Sequence, residues 1–265
     1  MTWTDALSRI PPRWRPWTLA GSLLLVLVLV GLWLTREPDF GRLPDFAALD
    51  DVDSMKAAFH DYLAPIVAYH NANIRADRAR LDTIAEQVES GASLSGGDRR
   101  WLRRLAQRYE LTTDGEDEVS ALIPVLRRRV DIIPIELALA QAAKESGWGR
   151  SRFAVEANNL FGQWCYTPGC GVVPANRPAG ASHEVETFGS VSEAIRRYMN
   201  NLNTHERYLE LRMQRQQLRR EDRPVTGMSL AGALVFYSER REAYVEELRG
   251  MIRQFQRMRQ AGAGA

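Results

Sequence analysis

Apolar residues fall in two patterns along this chain of 265 residues. From Trp17 to Leu34 they are almost continuous, and at about 1.5 Å per residue this run reaches roughly 27 Å, close to the thickness of a bilayer core. Beyond it they recur at helical spacing. Met55, Phe59, Leu63, Ile66 and Tyr69, then Ile74, Leu81, Ile84 and Val88, predict helix from about Val52 to Val88, with Pro65 the place for a bend. A second helix is expected over Asp98–Tyr109, with Trp101, Leu102, Leu105 and Tyr109 on one face. Pro134 suits a first helical turn, and no breaker follows from Ile135 to Lys144, so this helix ends at Glu145. Ser190 and Glu193 form a capping-box signature ahead of a helix carrying Tyr198. Ser229 is read as the cap of a helix through Tyr237, and a last helix covers about Glu242 to Met258.

Charge gives the apolar run a direction. Arg9, Arg13 and Arg15 precede it and only Arg36 stands close behind, which places residues 1–16 in the cytoplasm and everything after Leu34 outside it. Trp14, Trp17 and Trp33 suit the two interfacial belts. A cleaved signal peptide is the competing reading, but Trp33-Leu34-Thr35-Arg36-Glu37 offers no small-residue cleavage site, so residues 17–34 are taken as an uncleaved anchor. A linker over 35–50 is marked by Pro38, Gly41 and Pro44; a helical region follows over 51–119, and a further domain over 120–260. The net charge of +2 gives no sign of a nucleic-acid partner. Phosphate loops, nucleotide fingerprints, internal repeats and heptad runs are all missing from the sequence, and no cofactor is expected. His60 and His70 read as helix-surface residues, and the arginines between Arg212 and Arg223 as a solvated helix face or an attractor of anionic groups.

The candidate chemistry lies in Glu145-Ser146-Gly147-Trp148-Gly149. A carboxylate among the exposed carbonyls of a helix C-terminus is harder to ionise, and Trp148 packed over it would add desolvation in the same direction. A raised pKa is what a general acid needs near neutral pH. Lys144 is discounted because adjacent helical residues point different ways. Taken alone, the motif reads first as a solvated charge followed by a glycine helix stop. Two cysteines, Cys165 and Cys170, flank Tyr166-Thr167-Pro168-Gly169, whose Pro-Gly turn brings the thiols together for a disulfide worth about 2 kcal/mol. A zinc site there would need more ligands than His183 supplies, so no metal is expected. Trp164 and Tyr166 have two readings, as rings that stack on sugar faces or as cover for the turn.

Read together, the run Gln141 to Gly149, then Asn159-Leu160-Phe161-Gly162, then Phe188 to Ala194 running on to Tyr198, then Arg207-Tyr208, Tyr237-Ser238 and Tyr244-Val245 through Leu248 to Ile252, resemble the glucosaminidase family of peptidoglycan hydrolases, and within it the Bax-type proteins of Gram-negative bacteria. The resemblance covers about residues 120 to 255 with several motifs in the same order. It implies a mainly α, lysozyme-like catalytic domain with a small β-hairpin, here preceded by one transmembrane helix. It also implies Glu145 as catalytic acid, Tyr198 in the cleft, and Asn159, Leu160, Phe161 and Gly162 on the sugar site; Trp148, Trp164 and Tyr166 are further candidates for contact with the sugars.

The sequence departs from the family pattern where the hairpin's second carboxylate belongs. Gln163 to Cys170 and a Gly/Pro-rich run stand there, and only Glu184 and Glu186 follow as candidate second catalytic groups; their other reading is solvated strand residues. If neither serves, the substrate's acetamido group is the nucleophile, oriented by Tyr198. The expected protein is an endo-β-N-acetylglucosaminidase acting on the glycan strands of peptidoglycan, held in the inner membrane by residues 17–34 with its catalytic domain in the periplasm. A lytic transglycosylase and a weakly catalytic wall-binding scaffold are the alternatives.

Overall fold

The computed structural model describes residues 37–112, 119–178, 180–235 and 240–263. The chain divides into two units, residues 1–41 and 42–265. Of the first, only residues 37–41 are described, without regular secondary structure, and there the Gly41 N–H donates to Asp39 Oδ1 at 2.8 Å. The apolar run 17–34 with its flanking arginines and tryptophans lies outside the described residues, as do Tyr237 and Ser238. Among the described residues no helix is long and apolar enough to cross a membrane.

The second unit is mainly helical, with one small sheet. Helix α1 spans Val52–Glu89, started by Asp51, whose carboxylate accepts the Ser54 N–H at 2.7 Å. It continues through Pro65, where burial of Leu63, Ile66 and Val67 offsets the lost backbone bond. Ser95 caps α2 (Gly96–Arg108). Trp101, Leu102 and Leu105 of α2 form a core with Leu81 and Ile84 of α1 and with Ile123 and Leu126 of α3 (Ile123–Arg129). Helix α4 (Ile135–Ser146) is buried at every position from Leu137 to Ala143, so it is a central helix rather than an amphipathic surface one. It packs against α1, α8 (Gly227–Leu230) and α9 (Glu242–Ala263). Between lie α5 (Arg152–Ala157), the strands, α6 (Val191–Thr204) and α7 (Leu209–Arg220).

The chain entering α4 is clamped from three directions. Asn71 of α1 donates to the Ile133 carbonyl at 2.8 Å and accepts the Ile133 N–H at 3.1 Å. Asn203 of α6 donates to the Asp131 carbonyl at 3.0 Å. Arg215 of α7 donates to the carbonyls of Asp131 (3.1 Å), Ile132 (2.8 Å) and Arg128 (3.1 Å). The backbone amides of the loop thus have partners in the interior, and the start of the central helix is held in one place.

Several expectations are corrected. The arginines of α7 are not all a solvated face: Arg212 and Arg215 are buried, drawn inward by carbonyls and by the Asp131 carboxylate. His70 is buried, its Nε2 lying 2.8 Å from Ser192 Oγ at the start of α6. The cap of α8 is Thr226, and Ser229 is its reciprocal partner in the box. The expected hairpin is a three-stranded antiparallel sheet of β1 (Trp164–Cys165), β2 (Gly171–Val172) and β3 (Glu184–Glu186), ordered β1-β3-β2. A Cβ on Gly171 would stand 2.0 Å from the Val185 carbonyl oxygen, so only glycine lets β2 pair with β3 here.

Candidate active site

Helix α4 ends in a turn that turns Glu145 outward and anchors the residues after it. Gly147 takes the left-handed C-cap conformation (φ 58°), and the Trp148 N–H returns to the Ala143 carbonyl at 2.8 Å. Buried Ser146 pins the turn: its hydroxyl donates to the Ala142 carbonyl at 2.6 Å and accepts the Gly149 N–H at 2.7 Å. Gly149 (φ 74°) lies so close under Phe46 that a Cβ would come within 2.7 Å of its ring. The Trp148 ring packs edge-on to Phe59 (5.4 Å between centroids) and against Phe255 (5.6 Å), so it fastens the turn to α1 and α9.

What reaches the Glu145 carboxyl is Tyr244 of α9, whose hydroxyl donates to Glu145 Oε1 at 3.0 Å. Behind it runs a buried chain of side chains. Gln141 Nε2 donates to the Tyr244 oxygen at 3.1 Å, and Gln141 Oε1 accepts the Tyr198 hydroxyl at 2.5 Å. Gln141 is one turn back from Glu145 on the same helix, so α4 carries both ends of this connection. Although much of Glu145 is exposed, desolvation of its carboxyl raises its pKa above the ordinary glutamate value. The Tyr244 hydrogen bond and, more weakly, the Lys144 charge pull it back. Lys144 therefore acts on the carboxyl after all, from a position where its ammonium pairs with Glu247 and lies 5.5 Å from the Tyr244 ring centroid. Tyr208, in the short 3-10 turn after α6, has its pKa raised by burial; the Arg207 charge pulls it back, and the Glu145 charge adds a smaller push upward.

Because Tyr244 stabilises the charged carboxylate, replacing it with Phe is expected to move the Glu145 titration to still higher pH. Carbon-13 NMR of the labelled carboxyl reads this directly. A titration moved downward, or unmoved, would show that the hydrogen bond does not govern the group.

The other candidates separate into support and surface. Tyr198 is buried and stacks on Phe161, with centroids 3.8 Å apart and planes at 7°. Its hydroxyl serves Gln141, so its connection to Glu145 runs through Gln141 and Tyr244. Asn159 is also buried: its Nδ2 donates to the Gln163 and Glu186 carbonyls at 2.9 Å each, and its Oδ1 accepts the N–H groups of Phe161 and Gln163. With Leu160 and Phe161 it shapes the wall from behind and offers a ligand little or no surface; Gly162, in contrast, is exposed.

Trp164 and Tyr166 project at 55% and 67% exposure, the Trp164 ring stacked on His183 at 4.1 Å. Beneath them Cys165 and Cys170 form a disulfide. Glu184 is turned onto the same loop, its carboxylate accepting the N–H groups of Gly169 (3.1 Å) and Gly171 (2.9 Å), which hold its pKa below the usual value. This brace gathers Cys165, Cys170 and Glu184 within 4.8 Å, but the two sulfurs are joined to each other rather than offered as thiolates. Glu186 faces Arg197 of α6, 3.6 Å away. Both acids thus have structural partners. Reducing the bridge is expected to cost about 2 kcal/mol and lower the melting temperature by about 4–8 °C. A melting curve unchanged by reductant would remove the stabilising role.

Sequence reasoning assigned no role to Gln141, Tyr208 or Tyr244, though all three stand in the segments that carry the family resemblance. Comparison with known proteins bears directly on that resemblance. No solved structure matches the chain. It is 35% identical to Protein bax of Escherichia coli (strain K12) over 218 residues, which cover 82% of this chain and 75% of that protein. Residues 122–257, the span that holds Glu145, Tyr208, Tyr244 and the sheet, match the glucosaminidase model, described as mannosyl-glycoprotein endo-beta-N-acetylglucosaminidase, and the chain therefore belongs to the glucosaminidase family.

Proposed function

We propose that this protein is a lysozyme-like endo-β-N-acetylglucosaminidase that hydrolyses the glycan strand of peptidoglycan, with Glu145 as the general acid. The observation that carries the reading is the Glu145 carboxyl itself, with its pKa raised by desolvation and its orientation set by the Tyr244 hydroxyl at 3.0 Å. The protonated carboxyl gives its proton to the glycosidic oxygen as the bond to the anomeric carbon breaks and oxocarbenium character develops. Trp164 and Tyr166 offer exposed ring faces for the sugars. Because Glu184 braces the disulfide loop and Glu186 faces Arg197, the substrate's own acetamido oxygen is the nucleophile in this scheme. Water then opens the cyclic intermediate, giving a proton back to the Glu145 carboxylate. Residues 17–34 would anchor the chain in the inner membrane with the catalytic unit in the periplasm, where both the disulfide and the substrate belong.

The same occupation of Glu184 and Glu186 favours one second reading, a lytic transglycosylase, which also works with a single acid. Digestion of purified peptidoglycan by the full chain, with mass spectrometry of the product ends, separates the two. N-acetylglucosamine reducing ends are expected. Anhydro-muramic ends would replace the first reading with the second, and binding without any cleavage would leave a wall-binding scaffold.

A further inference from the structure

The turn after Glu145 has a backbone conformation that its own residues disfavour. Gly147, Trp148 and Gly149 all lie in the left-handed region, at φ 58°, 62° and 74°. Two of them are glycines, but Trp148 is bulky, and such a backbone persists only where the surroundings impose it. Those surroundings are aromatic and come from distant elements. The rings of Phe46, Phe59, Trp148 and Phe255 run in contact, with successive centroids 5.4, 5.4 and 5.6 Å apart.

Phe46 closes this run over the turn. It lies in the short 3-10 turn Phe46–Ala48, which is capped by Asp45, whose carboxylate accepts the Ala47 N–H at 3.0 Å. Phe46 is 1% exposed, and two of its ring carbons stand 2.7 and 2.9 Å from where a Cβ of Gly149 would be. The ring thus occupies the space of the missing side chain, and buried Phe59 borders the same spot at 3.5 Å. Gly149 is tied in turn to the residue next to Glu145, since its N–H donates to Ser146 Oγ at 2.7 Å. A displacement of Phe46 therefore reaches Glu145 through one glycine and one hydrogen bond. Both phenylalanines precede residues 122–257, the span matched by the glucosaminidase model.

We propose that Phe46 is a positioning residue for Glu145, so that the segment from Asp45 to Phe59 belongs to the active site although it lies outside the family's span. The role toward catalysis rests on the reading of Glu145 as general acid. Proton transfer requires the carboxyl within hydrogen-bond reach of the glycosidic oxygen, and a misplacement of about 1 Å can cost about 100-fold in rate. Tyr244 fixes the carboxyl itself, at 3.0 Å. Phe46 fixes the backbone from which that carboxyl projects.

The test compares the full chain with Phe46→Ala, Phe46→Leu and a control, Leu105→Ala, which removes a side chain from the core shared by α1, α2 and α3. Hydrogen–deuterium exchange, read by mass spectrometry, follows the peptide that contains Trp148 and Gly149. Phe46→Ala is expected to speed exchange there about tenfold and Phe46→Leu less, while Leu105→Ala speeds exchange in α2 and leaves the turn at the wild-type rate. In the release of glycan fragments, Phe46→Ala should lower kcat about 10- to 100-fold with KM kept within about twofold, and Phe46→Leu should recover most of the loss. Exchange at the turn unmoved by Phe46→Ala, or moved as much by Leu105→Ala, would overturn the proposal, as would an unchanged kcat or a loss confined to KM. Should Phe46→Ala fail to fold, Phe46→Leu is judged by the same comparisons. No substrate enters the exchange measurement, so a wild-type protein that cleaves no glycan would count against the glycosidase reading while exchange still decides whether Phe46 holds the turn.

Discussion

Glu145→Gln is expected to reduce glycan cleavage by roughly 10²- to 10⁴-fold while the protein stays folded. Glutamine keeps the shape of the side chain and still accepts the Tyr244 hydroxyl, but it holds no transferable proton. Since much of Glu145 is exposed, the melting temperature should be nearly unchanged. The release of soluble fragments from purified peptidoglycan measures the rate. Undiminished cleavage by a well-folded variant would end the assignment of Glu145. The pH dependence follows from the same group. With its pKa raised, the carboxyl stays protonated at pH values where an ordinary glutamate is ionised. Activity should therefore fall as pH rises through that raised pKa, and the residual activity of the variant should lack this limb.

Asp131→Ala is expected to destabilise the fold by about 3–5 kcal/mol, a large share of the roughly 5–15 kcal/mol that holds a domain together. Asp131 is 2% exposed and its carboxylate is shared among three arginines. Arg219 donates to both oxygens at 2.9 and 3.1 Å, while Arg215 and Arg78 stand 3.7 and 3.6 Å away. Burial pushes the Asp131 pKa up, but the Arg219 hydrogen bonds and the three positive charges outweigh it, and the net shift is downward. Arg215 is fully buried, and desolvation pushes it down to about 10. Without Asp131 it remains a buried cation whose hydrogen-bond partners among the described residues are the carbonyls of Arg128, Asp131 and Ile132, and the loop into α4 loses its carboxylate link to Arg219 and Arg78.

The depressed Asp131 pKa also sets a pH window. Its stabilisation is fully present above the unfolded aspartate value of about 4 and is lost as pH falls through the lower folded value. Chemical denaturation of wild type and variant should therefore differ most at neutral pH and converge in strong acid. A neutral-pH difference below about 1 kcal/mol, the scale of a surface pair, would show that the cluster is not holding the loop.

Much of the helical layout could be read from the residues alone. Five expected helices have observed counterparts, and Ser190 caps α6 as the capping signature predicts. These features are local: periodicity and caps act over three or four residues, so a short window contains the whole interaction. The disulfide was legible for the same reason, since its cysteines are five residues apart across a Pro-Gly turn. Glu145 at the end of a helix, with Gly147 as its C-cap, needed no more than the motif itself.

What a window could not contain was the identity of distant partners. Tyr244 lies 99 residues from Glu145 and Arg215 lies 84 from the Asp131 carbonyl it holds, so neither pairing leaves a spacing to read. Burial of a charge depends on whether a counter-charge arrives in three dimensions, which is why the α7 arginines read as a solvated face and Arg215 proved to be core. Glu184 read as a possible catalytic acid because composition shows a carboxylate and not its surroundings; folding turned it onto the Gly169 and Gly171 amides. The sequence by itself determined the helices, the disulfide and the position of the candidate acid, because short-range sterics and hydrogen bonding decide these. Only the tertiary structure decided which groups surround that acid and which charges are buried, because packing brings together residues far apart along the chain.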